Sequence, residues 1–237
     1  MPKGLVISDL HLFSSRSSAQ VDFESYRSRL SQYDICILNG DIFDFRWTTL
    51  PSIAQTVEHA FAFCTKLLEE NRSCEFHYVL GNHDSLRGFV ERLPELEEKF
   101  TNFIWYPHYV KLGNHLFLHG DIIHVRSPQA GSLESYRSNF EHADILPKNR
   151  HMLYAGLVKT RLHTLAYFLN PPRRSCQRVL EYFETHEQEI LDGVRHIFFG
   201  HTHSPFSALE HDGFIFHNTG SMIRGMKHNF VEFELAS

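Results

Sequence analysis

Residues 34–44 read Asp34-Ile35-Cys36-Ile37-Leu38-Asn39-Gly40-Asp41-Ile42-Phe43-Asp44: an apolar run of strand length, a glycine, then two carboxylates three residues apart. Consecutive apolar residues of this length suit a strand covered on both faces. Glycine lets the backbone turn sharply where such a strand ends. The pattern recurs. Gly4–Ser8 leads into Asp9-Leu10-His11, Phe76–Leu80 into Gly81-Asn82-His83-Asp84, His115–Leu118 into His119-Gly120-Asp121, and His196–Phe199 into Gly200-His201-Thr202-His203. Between these runs, Ile53–Glu70 carries apolar residues at helical spacing, and Gly88–Phe100 reads as a helix interrupted near Pro94. Alternation of this kind predicts an α/β fold whose strand ends bring the polar residues to one rim of a sheet.

After Gly200 the rhythm changes to strands and turns: Phe206–Glu210, a turn at His211-Asp212-Gly213, Phe214–His217 and Phe230–Glu234. The turn predicts a hairpin, and the whole stretch predicts a second, more antiparallel sheet packed on the first. The chain has no internal repeat, low-complexity tract or evident linker.

Composition narrows the function classes. The chain has 237 residues, enough for one large domain with a sizeable insertion, and 42% hydrophobic content suits a soluble globular protein. A formal net charge of −5 leaves no global basic field, so contact with extended nucleic acid is not expected. Cys36, Cys64, Cys74 and Cys176 lack metal or redox spacing, which predicts a reduced, cytoplasmic protein. The apolar Leu5-Val6-Ile7 is too short for a signal-peptide core, and no run is long enough to span a bilayer. Membrane contact, at the inner face, is therefore expected to be peripheral only.

Five of the 18 histidines fall in the motifs. Asp9, His11, Asp41, Asn82, His119, His201 and His203 together offer carboxylate, carboxamide and imidazole donors without thiolate, a set that suits hard-to-borderline divalent ions. Asp41, central in the series, has two oxygens and can bridge two ions. Two ions held about 3.5–4 Å apart are a recurrent device for hydrolysis at phosphorus. Taken singly, each motif also reads as an ordinary polar turn; Asn82 alone would serve equally to cap one. The ordered recurrence of all five makes them a set.

That ordered series resembles the calcineurin-like metallophosphoesterase superfamily, over Asp9 to His203, and Asn218-Thr219-Gly220-Ser221 resembles its Asn-x-Gly-Ser turn. The resemblance implies a four-layer α-β-β-α sandwich spanning 1–237. It implies one metal held by Asp9, His11, Asp41 and His203, and a second held by Asp41, Asn82, His119 and His201. The ions are expected to be Mn²⁺ first, with Fe or Zn²⁺ tolerating the same donors. His83 is expected to face the leaving group and protonate it or stabilise its charge. Asp44 resembles the carboxylate that orients this histidine, although a turn-forming aspartate is the alternative. Asp84 and Asp121 stay open between holding turns and supporting the ligands. Arg46 and Arg87 are candidates for clamping a substrate phosphate, the alternative for each being a solvated surface arginine.

Within the superfamily, Ser8-Asp9-Leu10-His11-Leu12, the His-Gly-Asp motif and the stretch at about 124–195 are similar to UDP-diacylglucosamine pyrophosphatases and their relatives. The chain departs where His83 stands in place of an arginine. From Ile145 to Leu180 it holds Lys148, Arg150, Lys159, Arg161, Arg173, Arg174 and Arg178 without an acidic residue. Leu153, Leu157, Leu162, Leu165 and Leu169 fall near one helical face there. Pro171-Pro172 is expected to stop that helix, and Val179–Leu191 to form another. This region is read as a helical insertion, either a basic and apolar cap over the site or a hairpin packed on the sandwich. The expected function is two-metal hydrolysis of a phosphoester or pyrophosphate in a small-molecule or lipid-linked substrate, such as a UDP-linked lipid precursor. The alternative is a phosphodiesterase or nuclease, and least of all a non-catalytic scaffold.

Overall fold

The predicted strands form within a residue of their expected ends. They are β1 (Lys3–Ile7), β2 (Ile35–Asn39) and β3 (Glu75–Val79). Two strands that sequence periodicity did not reveal follow, β4 (Phe103–Tyr106) and β5 (Tyr109–Leu112), before β6 (His115–Leu118) and β7 (His196–Phe199). The chain closes with β8 (Phe206–His211), β9 (Phe214–Asn218) and β10 (Val231–Glu234). The helices are α1 (Ala19–Asp22), α2 (Ile53–Glu70), α3 (Arg87–Val90), α4 (Leu93–Lys99), α5 (Leu133–Arg137), α6 (Lys148–Lys159) and α7 (Pro172–His186). The structure, a computed structural model, describes residues 1–23, 27, 29–125, 132–159 and 171–235.

The strands divide into two five-stranded sheets, ordered β10-β1-β2-β3-β4 and β5-β6-β7-β9-β8. In the first, β1 to β4 run parallel and β10 pairs antiparallel with β1. In the second, β6, β7 and β9 are parallel, with β5 and β8 antiparallel at the edges. The two sheets pack through Val6, Ile37, Val79, Val110, Phe117, Phe198 and Phe233. Alternate residues such as Cys36 and Leu38 face the other way, into a cluster with Ala60, Cys64 and Leu67 of α2. Both faces of β2 are thus dry, as its unbroken apolar sequence requires.

Three expectations are corrected. β10 leaves the C-terminal run of strands and joins the first sheet, where Val231 and Phe233 complete the layer between the sheets. β6 and β7, expected in one series with β1 to β3, belong to the second sheet, so the polar rim draws on both sheets. The helix expected to begin at Val179 begins at Pro172. Proline needs no intrahelical partner for its missing N–H at the first helical position, so the Pro-Pro pair starts this helix. Through Val179, Leu180 and Phe183, α7 covers the outer face of the second sheet.

The α2 bounds match the sequence reading, and its cap is the Ser52 side chain accepting from the Gln55 N–H at 3.1 Å. The helix expected over Gly88–Phe100 breaks into α3 and α4, with Pro94 inside the first turn of α4, where it is tolerated. Leu162, Leu165, Leu169 and Arg161 lie outside the described residues, as do the side chains of Lys148, Leu157 and Lys159. Among the described residues, no helix is long and apolar enough to cross a membrane.

His115 and His196, which open β6 and β7 away from the motifs, form a row of rings on the second sheet with His217 of β9. His115 stacks on His196 at 4.8 Å between ring centroids, and His196 lies 5.6 Å from His217. Burial first, then the neighbouring histidines, lower His115 and His217 to about 4. Below the ordinary value of 6.5 the unfolded chain takes up protons that these folded rings refuse, so stability falls with pH from there to about 4. The melting temperature is expected to drop over that window, and His115→Phe with His217→Phe should flatten the drop. An unchanged pH dependence in the double variant, followed by calorimetry, would count against this account.

Candidate metal centre

All five motifs meet at the rim where the parallel strands of both sheets end. Asp9 and Asp41 follow β1 and β2 of the first sheet; His119 and His201 follow β6 and β7 of the second. The turns are tight enough to force unusual backbone. Asp9, His11, Asp41, His201 and His203 all have positive φ, between 48° and 62°. Such left-handed residues with side chains cost about 1–3 kcal/mol each and persist where the surroundings overdetermine them. Five of the seven predicted ligands carry this strain, which aims their side chains at one another.

Asp41 is the hub. Its Oδ2 lies 3.3 Å from His119 Nε2 and 3.8 Å from His11 Nε2, while its Oδ1 accepts the His83 backbone N–H at 2.8 Å. Asp9 Oδ1 lies 3.1 Å from His203 Nε2 and 3.9 Å from His11 Nε2. His201 Nδ1 is 3.2 Å from His119 Nε2. Three groups therefore bring donor atoms within 4.8 Å of one another: Asp9 with His11 and His203, His11 with Asp41 and His83, and Asp41 with His119 and His201.

Buried atoms without hydrogen-bond partners test whether cations fit here. Both ring nitrogens of His11 and Oδ1 of Asn82 are buried and have none. Unmet groups of this kind cost about 1–3 kcal/mol each, and all three belong to predicted ligands. His119 Nδ1 faces the Asn39 carbonyl at 3.2 Å, which leaves Nε2 turned to Asp41 and free to ligate. The donor set fits two divalent cations: Asp9, His11, Asp41 and His203 could hold one, and Asp41, Asn82, His119 and His201 the other.

Electrostatics agree with a site built for cations. Burial pushes the Asp41 carboxyl up, but His119, His83 and His11 outweigh it and hold it well below the usual range. Asp44 is held down in the same way by His83 and Arg16 against burial. His119 rises to about 10 because Asp41 and Asp9 outweigh its burial. Burial drives His11 to about 4 and His201 to about 3, so both stay neutral and keep a lone pair for a metal.

Three glycines make room for the ligands of other motifs. A Cβ on Gly40 would enter the His119 ring, one on Gly81 would enter Asp41, and one on Gly200 would enter Asp9 and Ser8. Only Gly40 also needs its positive φ, 83°. Clearance, more than turning freedom, explains the other two.

Surrounding residues brace the loops. Asp84 accepts N–H groups from Ile42, Phe43 and Gly81, so it holds the turn that presents Asp41. Asn218 donates to the Gly200 carbonyl at 2.9 Å and accepts from Gly220 N–H at the same distance. Ser221 donates to the Asp9 carbonyl. His83 Nδ1 lies 3.1 Å from Asp44 Oδ1, as expected, while Arg16 holds Asp44 Oδ2 at 2.5 Å. Asp44 and Asp41 outweigh burial to raise His83 above the ordinary histidine range.

Arg46 and Arg87 are both exposed, and Arg87 donates to Glu91 at 2.7 Å. Neither takes part in the hydrogen bonds or ion pairs found at the cluster among the described residues. Sequence reasoning missed Arg16, which sits in a serine-rich loop without any motif, with its guanidinium 4.7 Å from the Trp47 ring centroid. It also missed His124, whose Nε2 meets His201 Nε2 at 2.8 Å. Its position five residues after His119 was the only available signal. Phe140, 5.8 Å from the His83 ring, and Tyr136, 5.1 Å from His124, had none.

The profile of the calcineurin-like phosphoesterase family matches residues 3–205. No curated protein matches the chain. Among solved structures, a dimetal phosphatase from Danio rerio is similar at 13% identity, covering 100% of this chain and 94% of that one with a TM-score of 0.51. This is a likeness of fold. A phosphopantetheinyl hydrolase from Mycobacterium tuberculosis, also at 13% identity, covers 93% of this chain and 90% of its own, with a TM-score of 0.43.

The clearance argument is testable. Gly200→Ala and Gly81→Ala are each expected to weaken Mn²⁺ binding by about 10-fold or more, the scale seen when groups supporting metal ligands are disturbed. Gly88→Ala, where a Cβ meets nothing within 4 Å, should leave it unchanged. Calorimetric titration of the stripped protein measures all three, and equal affinities would refute the role of clearance.

Proposed function

The chain belongs to the calcineurin-like phosphoesterase family and is a metal-dependent phosphoester hydrolase, and from that premise we propose that it cleaves a phosphoester or pyrophosphate bond in an amphipathic small molecule. The observation that carries this reading is the pairing of the carboxylate–imidazole cluster with aromatic side chains beside His83. The Phe140 ring lies 5.8 Å from His83 and 5.5 Å from Tyr136, which in turn stacks on His124 beside His201. An apolar wall there suits the apolar or aromatic part of an amphipathic substrate and suits an extended polyanion poorly.

Asp9, His11, Asp41 and His203 would hold one ion, and Asp41, Asn82, His119 and His201 the other, Mn²⁺ being the first expectation. Bound there, the pair supplies Lewis-acid activation of water and neutralises charge on the phosphoryl oxygens. His83 is the proposed general acid. Asp44 accepts from its Nδ1 and fixes the ring plane, leaving Nε2 for the leaving-group oxygen. Arg16 occupies the second oxygen of Asp44, so that the carboxylate cannot swing away from His83.

Among the described residues of the segment between the fourth and fifth motifs, those that reach the site lie in its first half. Phe140 approaches His83, while His151 of α6 accepts or donates a hydrogen bond at Ser15 Oγ (2.7 Å) and packs on Trp47. Arg173, by contrast, lines a cavity of about 260 Å³ with the β8–β9 hairpin. A cover built from 132–159 supports an amphipathic substrate, with a UDP-linked lipid precursor as one candidate. His83, where an arginine would otherwise stand, favours a second reading, a simple phosphodiesterase.

Asp41→Ala is expected to abolish Mn²⁺-dependent hydrolysis of bis-p-nitrophenyl phosphate; wild-type turnover in that variant would refute the assignment. His83→Ala should keep its metal content and lose about 10²–10⁴-fold in kcat on alkyl esters. Its loss on p-nitrophenyl esters should be smaller, because that leaving group needs little protonation. Equal losses on both would remove His83 from the acid role. Phe140→Ala is expected to raise KM for a UDP-linked diacyl sugar and spare bis-p-nitrophenyl phosphate. An inert lipid substrate beside a fast simple diester would establish the phosphodiesterase reading.

A further inference from the structure

We propose that Arg137 is a positioning residue that holds the loops of Asn82 and His119 at the separation required by the second of the two ions. The inference rests on the two-ion reading above. Arg137 ends α5, in the segment between the fourth and fifth motifs, and is only 6% exposed. A buried guanidinium is costly unless all of its donors are used, and this one is spread over three separate pieces of chain.

Its Nε and Nη2 donate to Asp121 Oδ2 and Oδ1 at 2.7 and 2.8 Å, a two-pronged bond that only a planar fork can make. Nη2 also donates to the Leu80 carbonyl at 2.8 Å, and Nη1 to the Pro107 carbonyl. Each acceptor has a distinct address. Asp121 lies two residues past His119, in the turn that follows β6 of the second sheet. Leu80 lies two residues before Asn82, directly after β3 of the first. Pro107 sits between β4 and β5, where the chain passes from one sheet to the other.

One side chain therefore ties both sheets together beside two of the ligands of one ion. The same short helix reaches a third. Tyr136 stacks on His124, which meets His201. Among the hydrogen bonds and ring pairs of the described residues, the ligands of the other ion, Asp9, His11 and His203, receive no contact from α5. If Arg137 acts through distance, its loss must weaken the two ions unequally. A residue that merely adds stability would lower the melting temperature and leave the balance between the ions alone.

Arg137→Lys keeps the charge and removes the fork. Titrating the stripped protein with Mn²⁺ should show two ions in the wild type. In the variant one of them is expected to weaken by about 10–100-fold, the usual cost of disturbing a group that supports a metal ligand, while the other changes by less than about 3-fold. The electron paramagnetic resonance spectrum should correspondingly shift from a spin-coupled pair to a single ion at intermediate Mn²⁺. Circular dichroism establishes that the variant is folded; if it is not, Asp121→Asn, which keeps the volume and removes the charge, is expected to give the same imbalance. Two ions bound as in the wild type, or both weakened equally in a folded variant, overturn the role of Arg137. A wild type that binds fewer than two ions overturns instead the two-ion reading beneath it.

Discussion

Asp41 carries a carboxylate into a place that water cannot reach, 1% exposed and pressed between histidines from three different loops. Asp9, Asp44, Asp84 and Asp121 are as deeply buried around it. So many carboxylates in a dry site are tolerable only with cations among them, because an unpaired buried charge costs several kcal/mol even after relaxation. Arg137 answers Asp121, Arg16 and His83 answer Asp44, and backbone N–H groups answer Asp84. Asp9 and Asp41 accept from backbone N–H groups and, for Asp9, the Ser8 hydroxyl, but the charged side chains facing them are imidazoles, two of which are driven to the neutral state by burial. Divalent cations held by these donors would resolve that imbalance, and the shape of the rest of the rim fits that demand.

The strained backbone follows from the same demand. A side chain leaving the end of a buried strand in ordinary extended geometry points along the pleat, up or down. Turning Asp9, His11, Asp41, His201 and His203 into the left-handed region redirects them sideways into a common space. The cost is met by the rigidity on either side: strands packed on both faces below, and Asn218, Ser221 and Asp84 bonding the loops above. Glycines at 81 and 200 then let ligands from neighbouring loops approach backbone that any side chain would push away.

The described residues between the fourth and fifth motifs fall into two parts with different physical tasks. α7 is structural, its apolar face closing the second sheet as α2 closes the first. The part around α5 and α6 faces the rim and brings aromatic rings there together with the buried Arg137. The sequence allowed either a basic and apolar cap or a hairpin packed on the sandwich, and composition could not separate these tasks. Arg173 and Arg174 are exposed on α7, where they answer to solvent and to the β8–β9 hairpin more than to the site.

Much of this protein was legible in its sequence, because local rules sufficed. Strands buried on both faces must be apolar throughout, so β1, β2, β3, β6 and β7 announced themselves; the two-sided polar or half-buried β4 and β5 did not. Donor atoms for divalent ions come from few residue types, so the ordered motifs identified the chemistry, and Asp44 lies beside His83 as expected. The partition of strands between two sheets, and the return of β10 to the first, depended on which apolar faces met in three dimensions. The clearances at Gly81 and Gly200, the hold of Arg16 on Asp44, the approach of Phe140 to His83 and the bonds of Arg137 join residues far apart in the chain. Spacing along a sequence reports on neighbours within a turn or a strand, whereas these contacts exist only once the two sheets have packed and brought their strand ends to one rim.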